Sequence, residues 1–226
     1  MICKNYDELQ QQFVLIIKSA RPPPKTLIDE LLPTVEGVPV RHAAWRFAAG
    51  LVDRANFSAG RAQCREIRQH TNTRGAISDT AMRKLVMNSA AHGAIREPIQ
   101  HEDRDERAFR LTDEFFDAVA DVFGGEWTGM SPRSSRLRHS AVIVSMGIVM
   151  DLLVPSQGTR LKDDFVQALE LLKPFSARMS TIWRLDGYEL AWNHIRYTPN
   201  DVHILTRHLV FATKRELRKM RPAVNA

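Results

Sequence analysis

The chain has 226 residues and a formal charge of +6, with 32 lysines and arginines against 26 aspartates and glutamates. That length holds one large or two small domains and buries a core without covalent staples. The two cysteines, Cys3 and Cys64, lack any CxxC or Cys/His spacing, which argues against a disulfide framework or a zinc site and for a reducing compartment.

Residues 6–20 read as an amphipathic helix through Leu9, Phe13, Ile16 and Ile17. The charged residues Lys4, Asp7 and Glu8 are foreign to a signal peptide. Arg21-Pro22-Pro23-Pro24 ends the helix. A short helix over 26–32, closed by Pro33, completes an N-terminal helical arm of residues 1–36. Residues 40–56 form the next helix, with Ala44, Phe47, Ala48 and Leu51 on its apolar side and Trp45 close to it.

Residues 58–112 are the most informative. Ser58 is a suitable N-cap for a helix that carries Ala62, Arg65, Ile67 and His70 and ends in Thr71-Asn72-Thr73-Arg74-Gly75. Ser78 caps a second helix, with Asp79 in its first turn, Met82, Leu85 and Val86 inward, and Gly93 as a left-handed stop. Residues 94–99 read as a strand. A charged tip follows at 101–106, then a return strand at 107–111 with Phe109 and Leu111 on one side. Thr112 caps a further helix through Phe115, Val119, Val122 and Phe123, which Gly124-Gly125 stops. Helix, turn, helix, hairpin, helix is the order of a winged helix-turn-helix domain, here residues 40–125.

Beyond it, a helix opening at Ser134 or Ser135 and running to 154 is apolar almost all round, so it belongs at the centre of a helical bundle or of a dimer interface. It contains Asp151 and its apolar run is too short to span a bilayer. Pro155, Ser156 and Gly158 break it. Residues 160–173 are amphipathic through Leu161, Phe165, Leu169 and Leu172. Residues 176–197 read as a helix with a break at Gly187, and 199–220 as the last helix, with Val202, Leu205 and Leu209 inward. Together 131–226 form a C-terminal helical domain for dimerisation, with effector sensing as a further role. Trp183, Tyr188, Trp192 and Tyr197 either line a small-molecule pocket or pack as core.

The two stretches "AISDTAMRKLVMNSAAHGAIRE" and "EDRDERAFRLTDEF" resemble the recognition helix and wing of MarR-type regulators. The shared features are a serine opening the helix, a basic pair inside it, a closing glycine, an aspartate-arginine wing tip and a Leu-Thr-acid start to the next helix. The resemblance spans about residues 58–116. It implies Ser78, Arg83 and Lys84 near DNA and Arg104 at the wing tip. Asp105 stands where the family usually has a second arginine, and Phe115 and Phe116 stand where a glycine usually follows.

The charge pattern agrees with this reading. Arg61, Arg65, Arg68, Arg74, Arg83 and Lys84 crowd residues 58–84 against Glu66 and Asp79 only, the electrostatic footprint of a nucleic-acid binder. The plainer reading is a solvated basic face. With Met82, Leu85 and Val86 inward, Asp79, Thr80, Arg83, Lys84 and Met87 or Asn88 point outward. Arg83 then reads a base, Lys84 a base or a phosphate, and Asn88 an adenine or nothing. Ser78 can meet a phosphate as well as cap. Arg104 either enters a minor groove or belongs to a solvated hairpin. Cys64 is either a thiol activated by its arginine neighbours or an inert buried one.

No phosphate loop, nucleophile elbow or dinucleotide fingerprint is present, and His203 and His208 are wrongly spaced for a metal pair on one helical side. The expectation is therefore a non-enzymatic, cytoplasmic, homodimeric bacterial transcription regulator that binds double-stranded DNA without metal or cofactor. The alternative is a non-catalytic winged-helix module for protein interaction or replication initiation.

Overall fold

A computed structural model describes residues 43–96, 102–128, 133–157, 161–175, 182–185 and 188–220. The predicted N-terminal arm, Cys3 and residues 97–99 of the predicted wing strand lie outside them.

Helix α1 (Ala43–Phe57) buries Ala48, Leu51, Val52 and Ala55 at helical spacing. Two residues at Ile67–Arg68 (β1) pair in parallel with two at Ile77–Ser78 (β2). The second strand leads directly into α2 (Asp79–His92). Then follow α3 (Arg104–Phe123), a helical turn α4 (Gly125–Thr128), α5 (Ser140–Gln157), α6 (Lys162–Leu172), a 3-10 turn at Lys173–Phe175, the antiparallel hairpin β3 (Ile182–Leu185) and β4 (Tyr188–Ala191), and α7 (Pro199–Met220). The described residues are thus mainly helical, with a small antiparallel sheet beside the short parallel pair.

Helix α5 is the centre. It packs against α2 on one side and α7 on another, and Ala141 to Val144, Met146, Val149, Met150 and Leu153 are all buried. A Cβ on Gly147 would overlap the Leu85 side chain, so the glycine lets α2 and α5 approach closely. Helix α3 packs on α1 and α6, with the Phe115 ring edge-on to Phe116 and Phe165. One contiguous core runs from Ala48 to Ala212, so the predicted DNA-binding and C-terminal segments share it.

The structure corrects several expectations. Residues 58–66 are turns, not a helix. The Ser58 hydroxyl donates to the Arg54 carbonyl at 2.8 Å, closing α1 instead of opening a new helix, and Arg65 takes a left-handed φ of 59° that no helix interior allows. Cys64 lies in these turns, half-buried.

The predicted wing is replaced as well. Residues 94–96 are a turn, and 107–111 are helical, because α3 begins eight residues before Thr112. Asp103–Arg107 and Glu106–Arg110 pair across one helical turn, and Ala108 and Leu111 continue the buried side set by Phe115 and Val119. The Thr112 hydroxyl bonds back to the Ala108 carbonyl. The two-stranded antiparallel sheet lies instead at 182–185 and 188–191, within a stretch where a helix was expected. There Ile182, Trp183, Arg184 and Leu185 alternate exposed and buried, a period of two that a helix cannot bury.

Helix α5 starts at Ser140, later than expected, and contains Pro155. Its apolar circumference is covered from within the chain by α2 and α7, so the bundle, not a dimer interface, accounts for its composition. Gly93 follows α2, but with φ −118° and not left-handed. Its smallness serves a neighbour: a Cβ there would overlap the Asp151 carboxylate. That carboxylate accepts the Ser89 hydroxyl at 2.5 Å and the Ala94 N–H at 2.9 Å, closing the helix end through a side chain of α5. Burial pushes the Asp151 pKa up against these two bonds. No helix among the described residues is long and apolar enough to cross a membrane.

Candidate nucleic-acid interface

The connection between α1 and α2 is irregular, so its backbone groups must find partners other than a ladder. Buried Asn56 supplies them. Its Oδ1 accepts the Ile67 N–H at 3.1 Å, its Nδ2 donates to Gln69 Oε1 at 2.5 Å, and its carbonyl accepts the Arg65 N–H at 2.8 Å. The Asn72 amide donates to the Arg65 and Ile67 carbonyls, both at 2.8 Å.

Ion pairs tie this connection to the rest of the fold. Arg61 Nε lies 2.9 Å from Asp113 and its Nη1 2.9 Å from Asp117. Asp117 also accepts the Ala62 N–H at 2.8 Å, and the Trp127 indole donates to the Ala62 carbonyl at 2.8 Å. Burial, with the nearby Asp117 charge, pushes the Asp113 pKa up to about 6 despite Arg61. Glu66 pairs with the buried Arg138, and its pKa is raised because burial outweighs that arginine.

The six cations of residues 58–84 therefore have unlike fates. Arg61 is neutralised on α3. Arg83 is also withdrawn, which corrects the outward placement expected for it. Arg83 and Asp79 are a buried i,i+4 ion pair, each side chain only 4% exposed, and the guanidinium lies over the Trp45 ring at 4.7 Å. Asp79 is likewise buried, not outward, and takes a second bond from the Thr80 hydroxyl at 3.1 Å. The helical spacing that buries Met82, Leu85 and Val86 extends to Asp79 and Arg83 because α1 covers that flank with Trp45.

Arg65, Arg68, Arg74 and Lys84 remain at the surface. Thr80, Lys84 and Asn88 share the outward side of α2, one turn apart. At its N-terminal end lies an open groove of about 520 Å³ lined by Arg68, His70, Thr73, Ser78, Asp79 and Thr80, among others. Ser78 is half-buried there and makes no side-chain cap bond. Arg68 is held by its Nε donating to the Gly75 carbonyl at 3.0 Å.

Of the residues singled out from sequence, Ser78, Thr80, Lys84 and Asn88 lie on this surface, Arg74 is exposed in the connection that leads to it, Asp79 lines the groove while paired with Arg83, and Arg83 supports it from within. Arg104 is exposed but begins α3 and contacts its neighbour Asp105 at 3.2 Å, so it is not a wing tip. Arg68, His70 and Thr73 were missed as groove residues, because the expected helix over 58–70 hid the turn that brings them to Ser78. Trp183, offered as a pocket residue, is buried, with its indole donating to the Trp192 carbonyl at 3.3 Å and its ring edge-on to His208. Comparisons with protein-family models, curated proteins and solved structures find no match for this chain.

Proposed function

We propose that this protein binds double-stranded DNA sequence-specifically, as a transcription regulator does, with the outward side of α2 in the major groove. The observation that carries the reading is the composition of that side. Thr80, Lys84 and Asn88 stand out from the helix with no carboxylate among them, and the groove at its start adds Arg68 and His70. Asp79, the acid that would repel phosphate there, is neutralised by Arg83.

Lys84 suits a guanine edge, Asn88 an adenine, and the Thr80 methyl a thymine. Arg65, Arg68 and Arg74 suit the phosphates. The base-reading role passes from Arg83 to Lys84 and Asn88. The test is selection of bound sequences from random duplex DNA, followed by a salt titration of the selected site. An enriched site whose affinity falls linearly with log salt, by about 0.9 per phosphate contact, supports the reading. No enrichment and no salt-dependent binding at low ionic strength overturns it. An inverted repeat in the selected site implies two chains per site.

A further inference from the structure

Beside Lys84 the chain brings up a segment more than 100 residues away. The Tyr197 ring lies 5.8 Å below the Lys84 ammonium, within the reach of a cation–π contact. Tyr197 is 39% exposed, so the pair sits at the edge of the α2 surface and not under it.

The backbone here is fixed from both ends. On the C-terminal side it opens α7. The Thr198 hydroxyl accepts the Asp201 N–H at 3.2 Å, and the Asp201 carboxylate accepts the Arg196 N–H at 2.8 Å, a cap of side chain to backbone in both directions. Pro199 follows at the first helical position, where its missing N–H costs nothing. On the N-terminal side Ile195 is fully buried, the His194 N–H donates to the Ala191 carbonyl at 2.9 Å, and the Arg136 guanidinium donates to the Asn193 carbonyl. Between these anchors Arg196 and Tyr197 are left at the surface. The Tyr197 hydroxyl is a neutral donor at neutral pH by its ordinary pKa of 10.0, and burial of part of the ring raises that pKa further.

A permanently charged fork and a phenol are suited to a phosphodiester, and because the backbone that carries them is already fixed, only side-chain entropy is lost on contact. The geometry points to Arg196 and Tyr197 as sugar–phosphate contacts that flank the Thr80–Lys84–Asn88 side of α2, so that the segment 193–198 grips the DNA strand bordering the groove that α2 enters. This inference rests on the DNA-binding reading above.

The experiment is a salt titration of binding to the selected duplex and to an unselected duplex of equal length. The proteins compared are wild type, Arg196→Ala, Arg196→Lys, Tyr197→Phe and Asn88→Ala. Arg196→Ala should weaken both duplexes by the same factor and make the slope of log affinity against log salt shallower by about 0.9. Arg196→Lys should restore the slope. Tyr197→Phe keeps the ring under Lys84 and removes the hydroxyl, so it should weaken both duplexes at unchanged slope. Asn88→Ala should weaken only the selected one. If the wild type binds with a steep salt slope and Arg196→Ala matches it, the inference is overturned and the DNA-binding reading stands. If Tyr197→Phe binds as tightly as wild type, Tyr197 is not a contact. If the wild type itself shows no salt-dependent duplex binding, both fall together.

Discussion

Helix α5 and the connection over residues 58–78 are both packed into the fold, yet they are held by opposite means. Helix α5 satisfies its own backbone and offers its neighbours apolar side chains almost all round. The connection has irregular backbone and is held by amides and carboxylates: Asn56 from α1, Gln69 and Asn72 within it, and Asp113 and Asp117 from α3. Apolar burial is non-directional and fixes where a segment lies. Hydrogen bonds are directional and fix which way its side chains point. The surface cations Arg65, Arg68 and Arg74 belong to the second kind of region, so their arrangement depends on polar bonds.

The largest effect is expected where the two means meet. Arg83→Ala leaves the Asp79 charge buried against α1 without its partner. It should destabilise by about 3–5 kcal/mol in denaturant titration. A variant that keeps wild-type stability would place Arg83 at the surface after all.

Leu153→Ala tests the apolar region. Leu153 is fully buried in α5, and its loss should cost about 2–5 kcal/mol. A cost below about 1 kcal/mol, outside the range for a buried leucine, would mean that α5 is not the centre of the core.

Asn56→Ala tests the polar region. It strips partners from the Ile67 N–H and from the Gln69 side chain, at about 1–3 kcal/mol for each group left unsatisfied. Hydrogen exchange should speed up at Ile67 and Arg65 while the amides of α5 keep their relative protection. Equal loosening of both regions would dissolve the distinction between them.

A pH effect separates the regions further. The folded pKa of Asp113, about 6, lies above its ordinary value of 3.8, so between these values the folded state holds a proton that the unfolded state has released. The stabilisation from this proton is full below the lower value and is lost as pH rises through about 6. Asp113→Asn should therefore gain on the wild type in melting temperature between pH 5 and pH 8. A gap that stays constant or closes over that range would show that the Arg61 pair outweighs burial.

The smallest effect is expected at Lys84. Lys84→Ala removes an exposed side chain and should leave stability within about 0.5 kcal/mol of wild type, in contrast to its neighbour Arg83. Its effect should be read in duplex binding alone.

Much of the helical architecture was legible in the sequence. Helices α1, α2, α6 and α7 fall close to where apolar spacing, Ser78, Gly93 and Pro199 mark them, and the all-round apolarity of α5 announces a central element. Local chemistry suffices there because a helix satisfies its own backbone and needs only one side, or all sides, to be apolar. What only the tertiary structure decided was the route between those helices and the facing of charged side chains. Ser58 offers its hydroxyl equally to a helix behind it and one ahead. Residues 107–111 read as a strand from their alternation, and ion pairs and the packing of Ala108 and Leu111 make them helix. Arg83 and Lys84 are adjacent in sequence and alike in charge, yet one is buried and the other exposed, because Trp45 and Asp79 stand on one side of α2 and solvent on the other. The meeting of Tyr197 with Lys84 likewise has no local signal, since it depends on α2 and α7 both packing on α5.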